Sequence, residues 1–94
     1  MIEELQGTKE IVHFQEGTSI KLHDNDEAEN YPVHWHLPLE IIMPVENSYD
    51  IRCGKTLFSL QEHDVLVVQP CVLHECIAPK TGRRFFVKYR SPGR

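Results

Sequence analysis

Two histidines and a carboxylate stand close together in the stretch HWHLPLE, as His34, His36 and Glu40. Alternate residues of a β-strand share a face, so His34 and His36 point the same way and Trp35 points the other way. If the strand continues past Pro38, Glu40 falls on the histidine side too. Two imidazoles and a carboxylate on one face suit Fe, Mn, Ni, Zn or Cu better than Ca or Mg. The spacing therefore predicts a candidate transition-metal site.

A further ligand must come from another strand. His74 is the best placed by sequence, because it opens a predicted strand just after VVQP and its turn. The other histidines, His13, His23 and His63, are weaker candidates in amphipathic or turn contexts. In a chain with 6 histidines, two of them can also stand two residues apart by chance. A metal site and a chance spacing therefore both stay open as interpretations at this point.

The elements that must position these residues are short strand candidates separated by turn residues, which is typical of an all-β sandwich or barrel. The strand candidates cover residues 9–14, 19–24, 39–46, 48–53, 56–60, 64–70, 74–78 and 84–89. Ile20 and Leu22 share one face of the second candidate, and residues 25–30 form a polar loop. We expect eight or nine strands without a long helix, arranged as a meander or a jelly roll.

Three of these segments carry a further expectation. Gly54 and Lys55 lie between two alternating segments and predict a hairpin. The apolar run 64–70 is continuous, so we expect it to be buried on both faces. Pro44 indicates an edge or a bulge in the strand 39–46.

Length and composition exclude several classes of protein. A chain of 94 residues with 40% hydrophobic residues makes one globular domain. Its net charge of −4 argues against a grip on a phosphate backbone by this domain itself. No apolar run reaches the ~20 residues that cross a bilayer, and no signal-peptide pattern opens the chain, so a cytoplasmic location is expected. The 3 cysteines are odd in number and are expected to be partly buried free thiols.

The histidine stretch, together with LQEHDVLVVQPCVLHE, resembles the two-part signature of the cupin superfamily over residues 9–90. The first motif matches at His34, His36 and Glu40, and the second ends at His74. Positions that are usually Gly in the family hold Asn47, His63 and Cys71 here, and Leu73 stands where the family usually has Pro. The resemblance implies a small jelly-roll barrel (9–90) after an arm (1–8) and before a tail or linker (91–94). All four metal-ligand positions are retained while the turns around them are altered, which is more typical of sensing than of catalysis.

Within cupins, YPVHWHLPLEIIMPVENSYDI is most similar to the N-terminal effector-binding domain of AraC-type transcription regulators. That resemblance implies a DNA-binding half after a linker helix. No helix-turn-helix candidate is found here, so the chain is expected to be either a sensor domain or a small cupin without a partner domain.

Two features outside the histidine cluster bear on partners. Trp35, Leu37, Leu39, Ile41, Met43 and Val45 form an apolar stripe on the face opposite the histidines. Either N-terminal strands cover it, a bulge at Pro38 shifts the alternation, or it is an interface, and we predict at least weak homodimerisation. Arg52 is a candidate to point into the barrel toward an anionic effector, whereas Arg83 and Arg84 are expected to be surface charges at a turn.

Two functions follow from these expectations. The first is an effector-sensing domain of an AraC-like regulator that holds a polar metabolite, such as a sugar, through His34, His36, Glu40, His74 and Arg52. A divalent transition metal (Zn, Fe, Mn or Ni) is an optional cofactor held by the same histidines and Glu40. The second is a stand-alone metal-binding cupin enzyme of the oxygenase or isomerase type, in which the metal keeps open positions for substrate. Sensing is the favoured alternative.

Overall fold

The computed structural model describes residues 2–26, 30–78 and 81–91, and these residues form ten short strands. The strands are β1 (Leu5–Gln6), β2 (Lys9–Glu10), β3 (Ile20–Asn25), β4 (Tyr31–His34), β5 (Leu39–Pro44), β6 (Tyr49–Cys53), β7 (Thr56–Leu60), β8 (Leu66–Val68), β9 (His74–Ile77) and β10 (Arg84–Tyr89). No helix among the described residues is long and apolar enough to cross a membrane.

Two four-stranded sheets face each other, in the orders β3-β10-β5-β8 and β4-β9-β6-β7, and β1 pairs with β2 separately. All of these strand pairs are antiparallel. Apart from β1-β2 and the hairpin β6-β7, paired strands are distant in sequence, as in a jelly roll and not in a meander. The predicted all-β jelly-roll barrel is therefore confirmed, and so is the hairpin at Gly54 and Lys55.

The alternation predicted from the histidines continues unbroken from residue 34 to residue 44. The buried side chains of this stretch are His34, His36, Pro38, Glu40, Ile42 and Pro44. The break in alternation lies earlier than Pro38: the register of β4 against β9 shifts between Tyr31 and His34, which leaves both of these side chains inside. Pro44 ends β5 and makes no bulge.

Two predicted strands were wrong in part. Segment 64–70 is not buried on both faces, because β8 is the last strand of its sheet and nothing described covers its outer side. Val65 and Val67 are 57% and 46% exposed, and within β8 only Val68 is buried. In segment 9–14 only Lys9–Glu10 is a strand, and residues 11–14 run on as irregular chain. Of the predicted polar loop, residues 27–29 lie outside the described residues.

The apolar core is small and lies between the two sheets. It consists of Tyr31, Ile42, Tyr49, Ile51, Leu60, Val68, Cys76 and Phe86. Phe86 is at its centre, with the rings of Tyr31 and Tyr49 packed edge-on against it at centroid distances of 6.5 Å and 5.7 Å. The 3 cysteines are free thiols as expected, but Cys71 is exposed and not partly buried. Burial raises the pKa of Cys76 to about 12.

Three turns hold a residue other than glycine in the left-handed backbone region. Asn47, His63 and Cys71 have φ angles of 66°, 70° and 68°. These are the positions at which the cupin signature usually has glycine. Asn adopts this region readily, whereas His and Cys pay a steric cost of roughly 1–2 kcal/mol between Cβ and the backbone. The turn geometry is thus retained although the residue that best fits it is replaced.

Replacing His63 by glycine should stabilise the protein, because its Cβ is strained and its exposed imidazole makes no hydrogen bond to any residue that the structure describes. We expect His63→Gly to raise the free energy of unfolding by roughly 0.5–1 kcal/mol, after the entropy that glycine loses on folding is subtracted. Urea unfolding measures the change. His63→Ala is the matched control, since it removes the imidazole but keeps the strained Cβ, and it should bring no gain. Equal stability of the two variants would contradict this explanation.

Candidate metal centre

Three histidines meet at one end of the barrel interior, each brought there by a different local element. His34 ends β4, His36 lies in the short segment before β5, and His74 begins β9, where it pairs directly with His34. All three side chains are buried, and their ligand nitrogens lie within 4.8 Å of one another. The structure thus brings together the histidines that the sequence analysis placed in one site.

Each imidazole is oriented by a backbone carbonyl two residues away. His34 Nδ1 lies 2.7 Å from Pro32 O, His36 Nδ1 2.8 Å from Pro38 O, and His74 Nδ1 2.9 Å from Val72 O. A carbonyl oxygen only accepts, so in each ring Nδ1 carries the proton. In the neutral imidazole Nε2 is then left with a free lone pair, the arrangement that metal-binding histidines need.

Glu40 completes the cluster from β5. Its Oε1 lies 3.3 Å from His36 Nε2 and 3.2 Å from His74 Nε2, and the side chain is fully buried. Electron-rich atoms at this spacing repel one another unless a proton or a cation lies among them. His34 Nε2 and Glu40 Oε2 are also buried without a hydrogen-bond partner among the described residues. The donor set therefore fits a divalent transition metal.

Glu10 and Lys88 are buried charged residues that adjoin the cluster. The sequence analysis did not select them. Lys88 Nζ lies 3.2 Å from Glu10 Oε2 and 3.6 Å from Glu40 Oε2, and Glu10 Oε1 lies 3.5 Å from His34 Nε2. Glu10 reaches this place because its backbone N–H donates to Trp35 O at 2.8 Å, and Lys88 pairs in register with Glu40. The sequence did contain a signal for Lys88, because alternation along the strand RFFVKY places it on the same face as the core residue Phe86.

Burial and charge act in opposite directions on the acid of the cluster. Burial by itself raises the pKa of the Glu40 carboxyl, but the adjacent imidazoles of His36 and His74 and the charge of Lys88 outweigh it and hold this pKa well below its usual range. Burial is also the main reason that the pKa of His34 lies below its ordinary value. Glu40 is thus kept as a carboxylate and His34 as a neutral imidazole, and both are the ligand forms.

The remaining candidates lie outside the cluster. Arg52 lies on the outer side of β6, half exposed and 3.7 Å from Glu75, so it does not point into the barrel. His13 and His63 are exposed, and His23 lies on β3 opposite Phe86.

The expectation that Arg83 and Arg84 are both surface charges was half right. Arg83 is exposed and pairs with Asp24 at 2.7 Å. Arg84 is fully buried, with its guanidinium 4.3 Å above the Tyr49 ring. The reason is again parity, since Arg84, Phe86 and Lys88 all lie on the inner face of β10.

No protein-family model and no curated protein matches this chain. Solved structures do match it. An RmlC-like cupin from Shewanella frigidimarina is 20% identical, with a TM-score of 0.66 over 80% of this chain and 69% of its own. A cupin superfamily protein from Desulfitobacterium hafniense is 11% identical, with a TM-score of 0.70 over 85% and 75%. The cupin domain of Schizosaccharomyces pombe Cnp3 is 12% identical, with a TM-score of 0.68 over 84% and 58%.

A two-sheet jelly roll with a buried histidine–carboxylate cluster is the class that the fold and the site define. More particularly, the chain has the cupin fold, because its matches are cupins over about four fifths of its length. Such distant likeness shows the fold alone, so function must be argued from the site.

The buried charges near the cluster should depend on one another. We expect Lys88→Met to destabilise the metal-free protein by about 3–5 kcal/mol, because it leaves Glu10 and Glu40 as buried carboxylates without their cation. The double variant Glu10→Gln/Lys88→Met should recover most of this loss, since one negative charge leaves with the positive one. Thermal unfolding of metal-free protein measures both changes. A double variant no more stable than Lys88→Met would show that the pair is not coupled.

Proposed function

We propose that this chain is the small-molecule-sensing domain of a cytoplasmic AraC-like transcription regulator, with a transition metal held inside the barrel. The observation that carries the proposal is the enclosed cluster, in which three carbonyl-oriented imidazoles turn their Nε2 atoms toward one another and toward the Glu40 carboxylate. The likeness of residues 31–51 to the opening of AraC-type effector domains supports the regulatory role.

The residues that would hold the metal are His34, His36 and His74 through Nε2, and Glu40 through Oε1. A bound Zn, Fe, Mn or Ni ion supplies a fixed positive charge and a Lewis acid at this end of the barrel. The chain itself orients the rings through the carbonyls of residues 32, 38 and 72, and it keeps Glu40 ionised through Lys88. A metal at this place would link β4, β5 and β9, which belong to both sheets.

Sensing is favoured over the metalloenzyme alternative by the enclosure of the cluster. The ligand side chains are 0–1% exposed, and Glu10 and Lys88 close the cluster on the side of β2. On that side, a substrate could reach the metal only if this ion pair moved. A metal held in this way stabilises one conformation of the barrel, and an effector that prefers that conformation shifts the equilibrium toward it.

The metal site is tested by elemental analysis of protein dialysed against Zn²⁺, Mn²⁺, Fe²⁺ or Ni²⁺. We expect close to one ion per chain for at least one metal, and a loss of at least tenfold in affinity for His36→Ala and for His74→Ala. His13→Ala is the control, since His13 is exposed and pairs with Glu4 outside the cluster. Unchanged metal content in His36→Ala and His74→Ala, or metal loss in the control, would refute the assignment.

Effector sensing is tested by adding a panel of sugars and organic acids to the metal-loaded protein. We expect at least one compound to raise the melting temperature and to be recovered chemically unchanged after long incubation. Consumption of the compound would favour the enzyme instead. A panel without any stabilising compound would count against effector sensing while leaving the metal assignment intact.

A further inference from the structure

A cavity of about 210 Å³ lies between the N-terminal segment and the barrel wall, next to the histidine cluster. Its lining comes from residues 9–12 and 14, from Leu37 and Pro38 before β5, and from Arg90 after β10. Two of these residues also belong to the cluster: Glu10 contacts His34, and the carbonyl of Pro38 accepts from His36 Nδ1. The cavity thus opens beside the candidate metal centre but is not part of it.

Most of the cavity wall is apolar. Ile11, Val12, Phe14, Leu37 and Pro38 supply side chains without hydrogen-bonding groups. A sugar needs a hydrogen-bond partner for nearly every hydroxyl, and an apolar wall leaves those groups unpaired at a cost of about 1–3 kcal/mol each. The sugar-like effector expected from the sequence therefore does not match this cavity, whereas a ligand with a hydrocarbon body does.

The charged groups of the cavity leave an excess of positive charge. The Arg90 guanidinium lies 4.6 Å above the Phe14 ring and donates from Nη2 to Thr18 O at 2.9 Å. The Lys9 ammonium lies 5.5 Å from the centre of the Trp35 ring. Within the described part of the chain, neither cation has a carboxylate within 4.0 Å. Glu10, the acid of the lining, shares Lys88 with Glu40, so these three residues together carry a net charge of −1 against the +2 of Lys9 and Arg90.

We propose that this cavity binds a small carboxylic acid with an apolar body, whose carboxylate pairs with Arg90 and whose hydrocarbon part packs on Phe14 and Leu37. This inference rests on the proposed sensing function and names the chemical class of its effector. A planar guanidinium fork matches a carboxylate through two parallel hydrogen bonds, and Arg90 has donors to spare beyond the one given to Thr18. The volume equals about seven waters, so the ligand is much smaller than a drug-sized molecule.

Hexanoate is the probe, and its neutral amide and glucose are the comparison compounds. Titrations followed by amide NMR on metal-free protein should show saturable shifts at residues 11, 12 and 37 with hexanoate. Hexanamide should bind at least tenfold more weakly, and glucose should cause no shifts at these residues. Equal binding of hexanoate and hexanamide, or shifts confined to other residues, would overturn the proposal.

Two variants sharpen the measurement. Arg90→Gln should weaken hexanoate at least tenfold and leave hexanamide unchanged, while Arg83→Gln, an exposed arginine paired with Asp24, should change neither. Val12→Trp should fill the cavity and abolish the binding of both compounds, whatever Arg90→Gln does to folding. If hexanoate fails to bind the metal-free protein while the metal is bound with one ion per chain, the ligand class is wrong and the metal assignment stands.

A second and independent feature is the outer face of the sheet β3-β10-β5-β8. Strand register aligns Leu22, Val87, Ile41 and Val67 in one row across all four strands. A parallel row contains Ile20, Tyr89 and Leu39. Leu22 is 60% exposed and Val67 46% exposed, whereas Trp35 is reached by the N-terminal segment through Thr8 and Lys9. The apolar stripe predicted from β5 alone is thus part of a wider surface.

On the other sheet, the polar residues Asp50, Arg52 and Glu75 lie on the outer side and interrupt the apolar surface. Four strands at about 4.8 Å spacing and two rows of side chains about 7 Å apart give the apolar face a projected area of roughly 250–300 Å². This is about a third of the ~800 Å² per partner of a standard protein interface, so the polar side chains around the face must supply the rest. The rim ion pair between Asp24 and Arg83 is neutral, so it adds no net charge to this face.

We infer that two copies of this chain pack these faces against each other as a two-fold symmetric pair of sheets. Sedimentation equilibrium should show a dimer in the micromolar range, and Leu22→Asp should weaken it at least 100-fold. Leu57→Asp is the matched control, because Leu57 is 47% exposed on the other sheet, and it should leave the dimer intact. A monomer at 200 µM, or disruption by Leu57→Asp instead of Leu22→Asp, would overturn the inference.

Discussion

The ammonium of Lys88 lies between two buried carboxylates, and the polar end of the barrel depends on this contact. An isolated charge in a protein interior costs several kcal/mol, so Glu10 and Glu40 could not both remain ionised beside the histidines without a cation. Lys88 fulfils this need from β10 and turns Oε2 of Glu40 toward itself, which leaves Oε1 facing the imidazoles. One ion-pair network therefore orients the carboxylate and joins β2, β5 and β10.

Charged and aromatic side chains alternate along the inner face of β10, and this alternation divides the interior into layers. Arg84 and Lys88 flank Phe86, and both charged groups are fully buried. Arg84 rests on the Tyr49 ring, while Lys88 belongs to the histidine end. Arg84 and Lys88 each lie two residues from Phe86 along β10, so the apolar core around Phe86 lies between the two buried cations. Lys88 thus joins the charged groups at the histidine end to the strand that carries the centre of the core.

His34, His36 and Glu40 could be predicted from the sequence because they follow the period-two rule of strands, which is a local property. His74 could be added only from its place at the start of a later predicted strand and from the resemblance to the two-part signature. Glu10, Lys88 and Arg84 could not, because a charged residue in an alternating strand is normally placed toward water. What reverses that rule is a partner on another strand, such as Glu40 opposite Lys88, and this pairing becomes visible only with the sheet order. The apolar run 64–70 was misassigned for a related reason: its pattern is the same whether another layer covers its outer face or not.

The altered turns indicate why the cluster keeps its shape. Each left-handed residue uses its backbone N–H to hold a neighbouring segment: Cys71 donates to His36 O at 2.9 Å, His63 to Pro44 O at 2.8 Å, and Asn47 to the Glu62 carboxylate at 2.9 Å. The first two bonds fix the start and the end of the stretch that carries His36 and Glu40. Backbone strain persists only where surrounding contacts over-determine it. Hydrogen bonds of the backbone therefore fix the segments that carry His36 and Glu40. The close spacing of the ligand atoms on these segments is stable only with a proton or a cation among them.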